Sequence, residues 1–128
     1  MFYTKEVAGV GTVQDHRNKY TENKEILETL FDAANKKHCN WIATICFYTV
    51  VHMVEAKMAK EQNLHSHSHK EREEMMYNSG LFSAKVLQMY KQLESNSRTA
   101  RYLPDNISPT IANQMQGYVQ KIEKEVST

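Results

Sequence analysis

The sequence predicts an all-α fold: a single domain built as a four- to five-helix antiparallel bundle. Three observations carry this. Only four glycines and two prolines interrupt 128 residues, and the stretches between them are rich in Ala, Leu, Glu, Lys, Gln and Met, the residues that lose least on entering a helix. Apolar side chains recur at a period of 3.6 in several separate segments. The connections between those segments are brief, which favours antiparallel neighbours.

Residues 1–14 show no clear period and are expected to form an N-terminal arm ahead of a bundle domain over 15–128. The first helix is expected to start near Asp15 or Asn18 and to end near Lys37. Its apolar stripe is Tyr20, Leu27, Leu30, Phe31 and Ala34. Lys36, Lys37 and His38 suit the negative pole of the helix dipole. A second helix follows with Asn40 as its N-cap and runs to about Gln62. From Trp41 to Val54, WIATICFYTVVHMV, it is apolar nearly all round, so it should be the central buried helix. The run is shorter than the ~20 residues that span a bilayer and contains His52, so a core helix is expected and no membrane span.

The tract HSHSHKEREEMM, residues 65–76, carries three of the six histidines. Ser68 and Glu71 fit the capping-box pattern S-x-x-E, which starts a third helix at Ser68. Gly80 is the expected C-terminal cap after Asn78, with a kink there as the alternative. A fourth helix is expected from about Leu81 to Ser97, with Leu81, Val86, Leu87, Tyr90 and Leu93 facing the core, then a loop over 98–107. The last helix has Ser108 as N-cap and Pro109 at its first position. Ile111, Met115, Tyr118, Val119 and Ile122 make its stripe.

Composition narrows the function classes. A chain of this length buries roughly two-thirds of its unfolded surface and needs no disulfide staples. Sixteen basic against fifteen acidic side chains leave a net charge of +1, so no whole-molecule attraction to nucleic acid or anionic membrane is expected, only a local basic patch. The opening MFYTKEVAGVGTV lacks a basic start followed by an apolar run, so no secretory leader is expected. Cys39 and Cys46 on one helix would stand roughly 10 Å apart, too far to bridge. They read as buried small hydrophobes in a reducing compartment.

Three constellations could carry chemistry. His65, His67 and His69 would share one side of an extended segment and could hold a metal. The capping box, however, puts His69 on a helix, and neither H-E-x-x-H nor C-x-x-C occurs, so the tract also reads as a polar loop and no metal ligand is assigned. Tyr48, His52 and Glu55, spaced by four and three, share one face of the second helix. A histidine among apolar residues needs a partner. It is either satisfied within the core or forms a composite site with a residue of another helix, for which His69 and Arg72 are candidates. In SNSRTARY, residues 95–102, Arg98 and Arg101 beside Tyr102 could grip phosphate and stack on a base, or cap helix carbonyls and pair with Asp105. Neither G-x-G-x-x-G, G-x-x-x-x-G-K nor G-x-S-x-G is present, and no cofactor is expected.

These residues resemble a family. The pattern W-x6-Y-x3-H-x2-E-A, formed by Trp41, Tyr48, His52, Glu55 and Ala56, is similar to the central helix of HEPN-type helical domains. The S-H-x2-R of Ser68, His69 and Arg72 and the S-R-x2-R-Y of Ser97 to Tyr102 look like a small stand-alone prokaryotic branch of that superfamily. The resemblance covers roughly residues 40–102. It implies a four- or five-helix bundle, often dimeric, in a cytoplasmic protein. Many members are ribonucleases of toxin–antitoxin or defence systems. Others accompany nucleotidyltransferases or have lost catalysis. The ribonuclease members carry an arginine, four to six residues and a histidine, but no histidine follows Arg17, Arg72, Arg98 or Arg101 at that distance. The expectation is therefore an accessory or binding domain for a nucleotide, RNA or a protein partner encoded nearby. The alternatives are a nucleotide-processing enzyme using His52 or His69 with Arg72 or Arg101, and a metal-binding protein using the 65–69 tract. A homodimer is expected from the resemblance and from a surplus of seven methionines and seven tyrosines.

Overall fold

The computed structural model describes residues 11–34, 38–103 and 106–127, apart from the side chains of 29–34. Most of the expected N-terminal arm, Lys36, Lys37, Pro104 and Asp105, and the side chains of Leu30, Phe31 and Ala34, lie outside the described residues. Within them the chain is all-α: α1 (Val13–Ala34), α2 (Cys39–Gln62), α3 (His69–Ser79), α4 (Ala84–Tyr102) and α5 (Pro109–Val126). α2 is the hub and packs against each of the other four. Ile42, Cys46, Phe47, Val50, Val54 and Met58 are fully enclosed along it, as an all-round apolar helix requires. By length and composition α2 could cross a membrane, yet 72% of its apolar 18-residue window is buried inside the bundle. Cys39 and Cys46 are buried, and neither is in a disulfide.

Local signals account for most helix ends. Ser68 Oγ accepts from Glu71 N, Ser108 Oγ from Ile111 N, and Gly80 closes α3 with φ 74°. Three expectations are corrected. α1 begins at Val13, two residues before the earliest expected start. Thr12 and Asp15 cap it reciprocally, Asp15 N donating to Thr12 Oγ1 and Thr12 N to Asp15 Oδ2, which is a capping box with aspartate in the glutamate's place.

Asn40 is not an N-cap. α2 starts at Cys39 with His38 in the cap position and no side-chain cap. Asn40 Oδ1 instead accepts from Ile107 N, and its Nδ2 donates to Asn106. Its hydrogen-bonding capacity ties the start of α2 to the entry of α5.

α4 is displaced towards the C-terminus. Ser83 is its cap, accepting from Val86 N, so Leu81 packs on the core from outside the helix. The helix continues to Tyr102 because its final turns are held from α2. Arg101 Nη1 donates to Tyr48 Oη at 2.6 Å, while Ser97 is fully buried. Arg98, Arg101 and Tyr102 therefore sit on a rigid helix rather than in a loop.

Candidate phosphate groove and buried polar network

Tyr48, His52 and Glu55 do share one face of α2, and that face meets polar groups from every side. His52 and Glu55 are buried and Tyr48 is half-buried. The partner of His52 is His16 of α1, Nδ1 to Nδ1 at 3.0 Å. In such a contact one ring donates and the other accepts, so both cannot carry a proton on that nitrogen. Burial pushes His52 down to about 3, helped by the nearby charges of His16 and Arg72. Burial also lowers His16, against the pull of Glu55. Both rings are neutral at physiological pH. Gly11 lies against the His16 ring. A Cβ there would lie 3.1 Å from His16 Nε2, so a larger residue would push on the ring by a few tenths of an ångström.

Glu55 is the junction of the network. Its Oε2 is 3.8 Å from His16 Nε2. Its Oε1 accepts from Arg72 Nε at 2.8 Å and from the buried Ser66 hydroxyl. Charges this deep persist only when paired and hydrogen-bonded. Burial works against the charge on Arg72, but Tyr90 and Glu55 outweigh it and raise its pKa further.

From this junction the network reaches the surface. Arg72 Nη1 contacts Tyr90 Oη at 3.3 Å and His69 Nδ1 at 2.7 Å. A guanidinium has only donors, so His69 Nδ1 accepts and the ring proton resides on Nε2. Desolvation, then the charges of Arg72 and Arg101, lower the pKa of His69. The neutral donor form is thereby fixed twice over. Phe47 and Tyr48 flank the same ring.

His69 also lines a surface groove of ≈ 580 Å³ between α3 and α4, together with Lys70, Glu73, Lys91, Glu94, Arg98, Arg101 and Tyr102. Four full cations thus face two carboxylates. Lys91 is 3.6 Å from Glu73 and Arg98 is 2.7 Å from Glu94, which leaves the charges of Lys70 and Arg101 in excess. Arg101 lies over the rings of both Tyr48 and Tyr102, and Tyr102 is 71% exposed. A stacked arginine beside an open aromatic offers a charge for phosphate and a face for a base.

Of the residues singled out in the sequence, His69 and Arg72 meet directly, as do Tyr48 and Arg101. His52 joins Arg72 through His16 and Glu55. His16 and Ser66 carry no signal in the sequence, and Tyr90 reads there only as a core-facing residue. His65, His67 and His69 take three different partners, Asn63, Glu71 and Arg72. Among the described residues no three His, Cys, Asp or Glu side chains are grouped to hold a metal ion.

No protein-family model matches the sequence, and no curated protein matches it.

Proposed function

We propose that this chain is a HEPN-like helical bundle that binds a nucleotide or RNA at the α3/α4 groove, as a binding or accessory domain rather than a ribonuclease of the usual motif. The observation that carries the reading is the excess positive charge of the groove beside the exposed Tyr102, with His69 held as an Nε2–H donor. Phosphates need cations and N–H donors, and bases need an aromatic face. A cytoplasmic homodimer belongs to the same reading. Trp41, 64% exposed on α2, is apolar surface that a second copy would cover.

The enzyme alternative draws on the same His69–Arg72 contact, since a histidine beside an arginine suits phosphoryl chemistry. The contact itself argues the other way. With Arg72 donating to Nδ1, His69 offers a hydrogen bond and no free basic nitrogen.

The test is fluorescence anisotropy of a labelled single-stranded RNA at low salt, with and without Arg101→Met. Saturable binding that weakens as salt rises, and weakens further in the variant, supports the groove. Equal binding by both proteins removes Arg101 from it. Cleavage of the RNA that is lost in His69→Ala would favour the enzyme instead.

A further inference from the structure

A second pocket lies away from the groove, where α1, α2 and the end of α5 converge. Its volume is ≈ 220 Å³, below the roughly 300–1,000 Å³ of drug-sized sites, so an occupant must be small. Tyr20, Met53, Ala56 and Val126 give it an apolar lining. Arg17, Lys57 and Lys60 reach it as well, with Glu61 as the one acidic side chain among the described residues that line it.

None of these three cations has an ion-pair partner among the described residues, and all three converge on one pocket. Elsewhere the basic side chains that approach a carboxylate are matched: Lys24 to Glu123, Arg72 to Glu55, Lys91 to Glu73, Arg98 to Glu94. Glu123, the nearby acid on α5, is already taken by Lys24 and the Tyr20 hydroxyl. Lys57 is half-buried and still lacks a counter-charge. In a chain of net charge +1, three cations against one carboxylate over an apolar floor is a local imbalance that an anion corrects.

We propose that this pocket binds a small amphipathic anion, a carboxylate or phosphate head on a short apolar body. The head would lie among Arg17, Lys57 and Lys60, and the body against Met53, Ala56 and Val126. The pairing follows from the lining: a bare inorganic anion would leave the floor unused, and a neutral apolar molecule would leave the cations unmatched.

The test is calorimetric titration of the full chain with hexanoate and with hexyl phosphate, which separates the two head groups, against hexanol and hexylamine. The expected result is saturable binding of at least one anion, about tenfold tighter than either control. Lys57→Met keeps the apolar stem but removes the charge, and should weaken binding about two- to fivefold. Ala56→Phe fills the floor and should abolish it. Arg101→Met, in the α3/α4 groove, should leave it unchanged, so the two sites stand or fall separately. No saturable binding of either anion, hexanol binding as tightly as the anions, or no effect of Lys57→Met would overturn the proposal. Circular dichroism of each variant confirms that a loss of binding is not a loss of fold.

Discussion

Arg72 Nη1 lies 2.7 Å from Nδ1 of His69, one turn back on the same helix. This contact joins a buried charge network to a surface groove. It also decides which nitrogen of His69 carries the proton, because an arginine only donates. Nitrogen-15 NMR at neutral pH should therefore find His69 as the Nε2–H tautomer, with its pKa below the ordinary histidine value. In Arg72→Met the second tautomer should appear and the pKa should rise, since the adjacent guanidinium is one cause of its depression. A His69 that titrates normally in the parent protein would contradict the arrangement.

Glu55 should be the costliest polar position to truncate. Glu55→Ala leaves Arg72 charged, buried and without its carboxylate, a loss of about 3–5 kcal/mol. Glu55→Gln should cost less, because its amide oxygen still accepts from Arg72 and Ser66. Adding Arg72→Met to Glu55→Ala should recover part of the loss by removing the stranded charge. Urea melts of the parent, these three variants and Arg72→Met alone measure this, and strictly additive losses would argue against direct coupling.

Acid should destabilise the fold through His16 and His52. Both pKa values are depressed in the folded state, so the unfolded chain takes up protons that the folded chain refuses. Stability is then fully present above the unfolded value of about 6.5 and falls as pH drops below it. For His52 the fall continues to about 3. Each such histidine contributes a slope of up to about 1.4 kcal/mol per pH unit. His52→Gln, which does not titrate, should flatten the decline between pH 6 and 4 as measured by thermal melts.

Two glycines should respond in opposite directions to alanine. Gly117 sits inside α5 with open space where a Cβ would go, so Gly117→Ala should stabilise by about 0.5–1 kcal/mol. Gly80 has φ 74° at the end of α3. Gly80→Ala should destabilise by roughly 1–2 kcal/mol despite equally open surroundings, because the strain is in the backbone. Denaturant midpoints distinguish the two.

The sequence made legible those features that local chemistry determines. Ser68 with Glu71, Gly80, and Ser108 with Pro109 mark helix ends through groups only a few residues apart. The buried role of α2 followed from its apolar run. What depended on distant partners was harder to read. His16 has its mate 36 residues away, and nothing in its neighbours marks it as buried. The end of α4 depends on Tyr48 of α2 holding Arg101, so its last turns looked like a loop. Asn40 resembles a cap until Ile107 is seen to claim its oxygen. Of the groove, Arg98, Arg101 and Tyr102 stood together in the chain, with Lys91 earlier on the same helix, whereas Lys70 joins them only because α3 and α4 both pack on α2. Thr12 and Asp15 were readable as T-x-x-D and mark the true start of α1.

The proposal that the α3/α4 groove holds a phosphate-bearing ligand is open to a single experiment. Its most direct test is the mapping of backbone amide shifts as a short single-stranded RNA is added to isotope-labelled protein at low salt. Saturating shifts concentrated in residues 69–73 and 91–102, reversed by salt, are expected. Shifts confined to other faces, or none at protein concentrations where the ligand is in excess, would contradict it.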